Sequence, residues 1–122
     1  MAELKATFML DKDGKPKYIP ADKHRHYAIQ LSVEGAPEQS IGVTYQLHES
    51  YYDPLREAYD ASTGFLETIT SYGDYDIVAM IRSKPRSIKI KSSLYEALKR
   101  TYSDTDNPDI LRALNDIKEN WT

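Results

Sequence analysis

Apolar side chains recur at every second position along several short segments of the chain. In residues 27–33, for example, Tyr27, Ile29, Leu31 and Val33 alternate with smaller or polar residues. This spacing predicts a strand with one buried and one solvated face, and neighbouring strands of this kind favour antiparallel pairing. Short strands are predicted in the same way in residues 4–10, 41–47, 65–69 and 88–90.

The segment 75–81, YDIVAMI, differs from these because it is apolar on both faces. A strand without a polar face is expected at the centre of a sheet, where neighbours cover both of its sides. We therefore predict that Ile77, Ala79 and Ile81 are fully buried, as are Leu31 and Val43 on the alternating strands.

Turn-forming residues separate the predicted strands. Gly14 follows Asp11-Lys12-Asp13 and is expected to adopt a positive φ in a β-turn. Gly35 ends one strand, and Pro54 closes another because proline cannot donate to a ladder. Residues 55–64 are polar and helix-tolerant, so we interpret them as a connection with at most one helical turn.

The pattern changes to a helical period after residue 93. Ser93 and Glu96 have the spacing of a capping box, which predicts a helix start at that point. Asn107-Pro108-Asp109 predicts a second start, with an N-cap, a proline at the first position and an acid in the first turn. The apolar stripe of this second helix comprises Ile110, Leu111, Leu114 and Ile117, and Trp121 extends it.

Short strands followed by short helices predict a mostly all-β protein. Turn signals at this spacing are typical of an antiparallel β-sandwich, with one or two short C-terminal helices added to it. We assign residues 1–98 to the sandwich and residues 99–122 to a helical extension packed on the same domain. At 122 residues the chain has the length of a single domain with its own core.

Composition restricts the classes of function. The net charge of −3 argues against a dedicated nucleic-acid binder, although residues 82–100 carry seven Lys or Arg against one acid, Glu96. We interpret this stretch as a solvated strand face rather than a partner-binding patch. The chain has no cysteine, and no stretch approaches the roughly 20 apolar residues of a membrane span, so we expect a cytoplasmic protein.

The candidate catalytic and metal-binding residues form no complete site in the sequence. His24 and His26 would share a face of an extended strand, but no third ligand is identifiable. Ser50 and His48 suggest a nucleophile pair, yet neither a glycine elbow nor an acid partner accompanies them. We therefore predict no enzyme activity, no metal and no cofactor, with a hydrolase using Ser50 as the least favoured reading.

Tyrosines are the more informative residues, since ten occur in the chain. A tyrosine combines a flat apolar face with a polar tip and is common on recognition surfaces. Tyr45 and Tyr75 are in phase with the buried faces, and we assign them to the core. Tyr51, Tyr52 and Tyr72 lie at strand ends, and we expect them to be exposed.

The segment VTYQLHESYYDP at 43–54, followed by SYGDYDIVAMI at 71–81, resembles the signature of the YEATS domain family. The shared pattern is a strand that ends in Leu-His-x-Ser-aromatic, then a loop with an aromatic residue beside glycine, then an apolar strand. SIKIKSSL at 87–94 fits the strand that follows in that family. The resemblance covers residues 4–98, is strongest over 41–82, and is best to prokaryotic YEATS-like domains.

This resemblance implies an immunoglobulin-like sandwich that binds acylated lysine at its loop end. Tyr51 and Tyr72 would enclose the flat acyl amide, and Ser50 would contribute a hydroxyl that His48 orients. Gly73 would permit a close backbone approach. Two departures stand out: HRHYAIQL at 24–31 keeps histidines but lacks the tryptophan usual near there, and Tyr51 replaces the commoner phenylalanine.

The sequence thus predicts a non-catalytic recognition module that binds a protein or peptide partner through an acylated lysine or a similar modified side chain. The prokaryotic resemblance implies a defence or signalling context. The alternative is a protein–protein adaptor of a prokaryotic immunity system, in which His48 and Ser50 only fix the loop. Membrane and nucleic-acid partners are not expected.

Overall fold

Two antiparallel four-stranded sheets form the core of the computed structural model, which describes residues 2–21, 23–84 and 86–120. The strands are β1 (Glu3–Phe8), β2 (Tyr18–Ala21), β3 (His24–Glu34), β4 (Gly42–Gln46), β5 (Leu55–Ala58), β6 (Glu67–Ser71), β7 (Asp76–Arg82) and β8 (Ile88–Ser93). The helices α1 (Leu94–Thr101) and α2 (Pro108–Glu119) follow them. This arrangement confirms the predicted antiparallel sandwich with helices at its C-terminal end.

The first sheet is organised around β3, which is its longest strand. β1 and β2 lie one after the other along one side of β3, with Phe8 opposite Ile29 and Tyr18 opposite Tyr27, and β6 pairs with the other side. Between β1 and β2 the chain forms a short hairpin, closed by a bridge between Leu10 and Pro16, in which Gly14 has a φ of 78°. The predicted β-turn with a positive φ at Gly14 is therefore confirmed.

The second sheet has the strand order β5-β4-β7-β8. β7, the segment that is apolar on both faces, is an internal strand as predicted. Leu55–Ala58 was assigned to a connection, and this was wrong, because these residues form β5 and pair with β4. Pairing with a neighbour outweighs weak local propensity in so short a segment. The predicted helical turn lies just beyond it, as a 3₁₀ turn at Ala61–Thr63.

Several strand boundaries also differ from the prediction. β1 ends at Phe8 rather than at Leu10, which is 42% exposed. Ile41 precedes β4 and its side chain is 64% exposed, although it was assigned to the buried face. β6 begins at Glu67 rather than at Phe65, which is buried but has a φ of 58°. The left-handed conformation at Gly64 and Phe65 turns the chain out of the 3₁₀ helix, so an extended strand begins only after them.

The apolar core fills the space between the two sheets, and it consists largely of the alternating apolar residues of the strands. Leu31, Val43, Ile77, Ala79 and Ile81 each have 0% exposure, which confirms the predicted set.

Both helix starts were also predicted correctly. Ser93 Oγ accepts from Glu96 N–H at 3.1 Å, and Asn107 Oδ1 accepts from Asp109 N–H at 2.9 Å. The predicted extension of the α2 stripe to Trp121 lies outside the described residues.

The helices are tied to the first sheet by specific hydrogen bonds. The Thr101 hydroxyl donates to Ala6 O at 2.8 Å, and the Tyr102 hydroxyl accepts from Phe8 N–H at 3.0 Å. The Tyr27 hydroxyl donates to the Asp116 carboxylate, which joins β3 to α2. None of the described helices is long and apolar enough to cross a membrane.

Ion pairs neutralise part of the basic stretch 82–100. Arg82 pairs with Glu57 at 3.1 Å, Lys91 with Asp76 at 3.6 Å and Arg100 with Glu3 at 3.0 Å. Pairs of this kind on a solvated surface contribute little stability. The pairing favours the interpretation of the stretch as a solvated face, although Lys99 and Arg100 lie on α1 rather than on a strand.

Truncation of a side chain that is buried between the sheets should destabilise the fold. Ile77→Ala should lower the free energy of unfolding by about 2–5 kcal/mol, because it leaves a cavity between the sheets. Ile41→Ala is the matched control, since Ile41 is exposed, and should change stability by less than about 0.5 kcal/mol. Urea denaturation of both variants measures the difference. Equal effects would show that the assigned strand register is wrong.

Alkaline pH should destabilise the fold through Tyr27. Burial first, and then the Asp116 carboxylate, raise the pKa of Tyr27 from 10.0 to about 12. Because the unfolded chain ionises this hydroxyl at lower pH, its contribution to stability is complete below pH 10 and is lost as pH rises towards 12. Tyrosine Cζ chemical shifts should show Tyr27 titrating at about pH 12 rather than at its ordinary pKa of 10.0. Titration of Tyr27 at its ordinary pKa, with no loss of stability between pH 10 and 12, would contradict the role given to the Asp116 contact.

Candidate ligand-binding site

The candidate site is formed where two loops lie beside each other at one end of the sandwich. The first loop, residues 47–54, joins β4 to β5, and Leu47 N–H closes it by donating to Pro54 O at 2.8 Å. Within it, Tyr51 N–H donates to His48 O at 3.1 Å and forms a tight turn. The second loop, residues 72–75, joins β6 to β7.

His48 and Ser50 form a closed local pair within the first loop. Their Nδ1 and Oγ atoms are 2.9 Å apart, and Ser50 N–H also donates to Nδ1, at 3.1 Å. A backbone N–H can only donate, so Nδ1 must be an acceptor and the neutral ring carries its proton on Nε2. The Ser50 hydroxyl then donates to Nδ1 as well. Its oxygen lone pairs are left to accept from a ligand.

The second loop is held in place by hydrogen bonds to residues at the ends of both helices. The Asp74 carboxylate accepts from Tyr95 N–H at 2.9 Å in the first turn of α1, and Asp74 N–H donates to Asn120 O at 2.8 Å. Burial raises the pKa of Asp74, while its bonds from backbone N–H groups oppose the shift. The loop therefore has a fixed position although it is short and contains Gly73.

Gly73 is buried, and its polar groups are used within the loop. Its N–H donates to Ser71 Oγ at 3.3 Å, and its carbonyl accepts from the Ser71 hydroxyl at 2.7 Å. The N–H of Tyr72, the residue between them, is by contrast a backbone donor without an acceptor among the described residues.

Tyr72 lies against the two histidines of β3. Its ring stacks on His24 with centroids 4.7 Å apart and planes 18° apart, and it meets His26 at 5.1 Å. The pair therefore supports the aromatic ring. Within residues 2–21, 23–84 and 86–120, no group of three or more His, Cys, Asp or Glu could hold a metal ion.

Tyr51 is fixed through its hydroxyl. It donates to Thr70 O on β6 at 2.6 Å and accepts from the Tyr75 hydroxyl at 3.0 Å. Desolvation raises the pKa of both tyrosines, so both hydroxyls stay protonated at neutral pH. Tyr75 was assigned to the core, and its exposure of 4% agrees with that, but its hydroxyl reaches the site.

These groups surround an open cavity of about 330 Å³. Its lining comprises His26, Ser50, Tyr51, Tyr52, Thr70, Ser71 and Tyr72. Three of the predicted site residues, Ser50, Tyr51 and Tyr72, thus line the same cavity. His48 and Gly73 do not line it, but they form hydrogen bonds with the lining residues Ser50 and Ser71. Tyr52 is fully exposed at the rim, as expected, whereas Tyr51 and Tyr72 are half-buried rather than exposed.

Sequence reasoning missed His26, Thr70 and Ser71 as lining residues. Tyr27 pairs with Ser71 in the β3–β6 ladder, which places His26 beside Tyr72. This contact depends on the register of two strands that are distant in sequence. The only local signal was the spacing of His24 and His26 on one strand face.

The chemistry of the cavity is that of a neutral slot. Among the described residues that line it, none is Asp, Glu, Lys or Arg. Another depression, between β1 and α1, is lined by charged groups that pair with one another, Lys5 with Glu34 and Arg100 with Glu3. The slot combines aromatic walls with an available acceptor and donor, which suits a small uncharged polar group.

No protein-family model and no curated protein matches the sequence. Solved structures do match it. The Yaf9 YEATS domain recognising a succinylated histone H3 peptide is 18% identical with a TM-score of 0.54, over 77% of this chain and 74% of that chain. The Yaf9 YEATS domain bound to acetylated histone H3 is 19% identical with a TM-score of 0.54, over 77% and 73%. The yeast AF-9 homolog protein Yaf9 is 19% identical with a TM-score of 0.52, over 77% and 68%. The chain therefore has a YEATS-like fold.

Proposed function

We propose that this protein is a non-catalytic reader that binds an acylated lysine side chain of a partner protein in the slot between Tyr51 and Tyr72. The observation that carries the proposal is the pair of polar groups at this slot. Ser50 Oγ is free to accept and Tyr72 N–H is free to donate, and both residues line the cavity.

A secondary amide has the complementary pair of groups. Its N–H would donate to Ser50 Oγ and its carbonyl would accept from Tyr72 N–H, while its flat faces lie against the two rings. Leaving either amide group unpaired once the slot has removed its water costs about 1–3 kcal/mol, so both contacts select for an amide. Gly73 acts indirectly in this proposal, by holding the Ser71 hydroxyl away from the ligand.

The same slot rejects an unmodified lysine. Acylation removes the charge of the ammonium group, whereas an ammonium entering the slot would lose its water and find no carboxylate among the described lining residues. The neutral lining therefore gives selectivity for the modified form without any repulsive group.

The solved structures support the chemical class of the ligand. Two of the similar structures are YEATS domains in complex with acylated histone H3. The sequence resemblance to prokaryotic YEATS-like domains leads us to propose a protein of a defence or signalling system, rather than a histone, as the natural partner.

The adaptor function remains a second candidate because of a surface outside the slot. Ile41, Leu55 and Tyr59 are 64%, 55% and 63% exposed around β4 and β5. Scattered exposed apolar residues are common, but these come from neighbouring segments and would suit a protein partner.

Titration with acyl-lysine peptides tests the reader proposal. Wild type should bind acetyl-lysine peptides saturably and unmodified peptides at least about tenfold more weakly. Tyr72→Ala removes a wall and should weaken binding about tenfold or more. Ser50→Ala removes the acceptor and should weaken it about five- to hundredfold. Isothermal calorimetry or NMR titration measures these constants.

Tyr59→Ala is the matched control, because it removes an exposed tyrosine outside the slot and should leave the affinity for acetyl-lysine unchanged. Absence of binding by folded wild type at millimolar concentration, or equal affinity for unmodified lysine, would contradict the reader function. The adaptor function would then account for the exposed residues around β4 and β5.

A further inference from the structure

We infer that Tyr75 is a positioning residue of the slot, which acts by holding the Tyr51 wall and the first loop in their binding geometry. This inference rests on the proposed function, since it concerns how the same slot binds its ligand. It changes the role of Tyr75 from a core side chain to one that determines affinity.

The direction of the hydrogen bonds makes Tyr75 the first donor of a chain. Thr70 O is a carbonyl and can only accept, so the single hydroxyl proton of Tyr51 is committed to it at 2.6 Å. Tyr75 must then donate to Tyr51 across the 3.0 Å between their oxygens. The order Tyr75 to Tyr51 to Thr70 is thus fixed by the chemistry of the last acceptor.

These two hydrogen bonds join the two sides of the cavity. Tyr51 belongs to the loop between β4 and β5, and Thr70 belongs to β6 in the other sheet, and both line the slot. Their bond fixes the spacing between these walls. The Tyr51 hydroxyl is occupied on both sides by protein groups, so the ligand meets the ring as an apolar surface.

Tyr75 also contacts the other half of the first loop. Its ring makes a T-shaped contact with His48, with centroids 5.9 Å apart and planes at 70°, and lies against the Tyr51 ring with centroids 5.7 Å apart. The carbonyl of Tyr75 accepts from Leu94 N–H at 2.9 Å, which anchors the residue to α1. One buried side chain therefore supports both Tyr51 and the His48–Ser50 pair.

Removal of the Tyr75 hydroxyl should leave Tyr51 with a single hydroxyl hydrogen bond, to Thr70 O, and so loosen its ring without exposing the core. The slot would then have to order its wall when a ligand binds, and the affinity for ligand would fall. We expect Tyr75→Phe to weaken binding of an acetyl-lysine peptide by about three- to tenfold. This phenylalanine keeps the ring contacts with Tyr51 and His48.

A double-mutant cycle tests whether Tyr75 acts through Tyr51. Dissociation constants for an acetyl-lysine peptide are measured for wild type, Tyr75→Phe, Tyr51→Phe and the double variant. Because both hydroxyls belong to one chain, the double variant should bind no more weakly than Tyr51→Phe alone. If the fold losses in peptide affinity of the two single variants multiply in the double variant, the inference is overturned. It is also overturned if Tyr75→Phe binds the peptide as tightly as wild type does.

Tyr45→Phe is the matched control. Tyr45 is fully buried, and its hydroxyl donates to Phe65 O at 2.6 Å, at the other end of β6 from the slot. Its loss should lower stability but leave peptide affinity unchanged. If Tyr45→Phe weakens binding as much as Tyr75→Phe does, the effect is one of general stability and the positioning role is excluded.

A measurement without ligand separates this inference from the proposed function. Aromatic NMR should show faster ring flips of Tyr51 in Tyr75→Phe than in wild type, with unchanged flips in Tyr45→Phe. Failure of wild type to bind any acylated peptide would defeat the reader proposal but not the restraint of Tyr51. Unchanged Tyr51 flips in Tyr75→Phe would defeat the positioning role, whether or not the ligand binds.

Discussion

Every second side chain of the central strands is buried between the two sheets, and this burial fixes how the strands pair. The inward residues are Tyr27, Ile29, Leu31 and Val33 on β3, Val43 and Tyr45 on β4, Ile69 and Ser71 on β6, and Ile77, Ala79 and Ile81 on β7. A slip of one residue would turn each strand over. In β6 such a slip would bury Tyr72 and expose Ser71, and the slot would be lost.

The helices add a second constraint, which acts on the loops rather than on the strands. The loop with Tyr72 is short and contains glycine, so little in its own sequence would hold it in one conformation. Asp74 connects it to the first turn of α1 and to Asn120 after α2. The helical extension therefore has a direct structural relation to the candidate site. Its contribution could not be inferred from the sandwich strands alone.

The parts of the fold that were predictable are those with local causes. Alternation identified β3, a run that is apolar on both faces identified β7, and capping residues identified both helix starts, because each signal lies within a few residues. β5 was missed because its four residues have weak preferences of their own and become a strand only by pairing with β4. Within the site, His48 and Ser50 were predictable as a pair two residues apart. The contact of His26 with Tyr72 was not, because it depends on the β3–β6 register.

The departures from the YEATS sequence pattern have a physical explanation at the slot. Tyrosine at position 51 adds a hydroxyl that phenylalanine would lack, and the protein uses that hydroxyl internally, between Tyr75 and Thr70. The wall presented to a ligand remains an aromatic face. His24 stacks on Tyr72 in a region where the family usually has a tryptophan. The result is a neutral slot with aromatic walls, one acceptor and one donor.

Isotope-edited NMR of a complex would show whether a neutral amide lies between Tyr51 and Tyr72, as we propose. With a peptide labelled with ¹³C in the acetyl methyl group of its modified lysine, we expect nuclear Overhauser contacts from that methyl to the ring protons of both tyrosines. We also expect a shifted Tyr72 amide signal. Contacts from the methyl to residues outside the slot, such as Leu55 or Tyr59, with no change at Tyr72, would contradict the account.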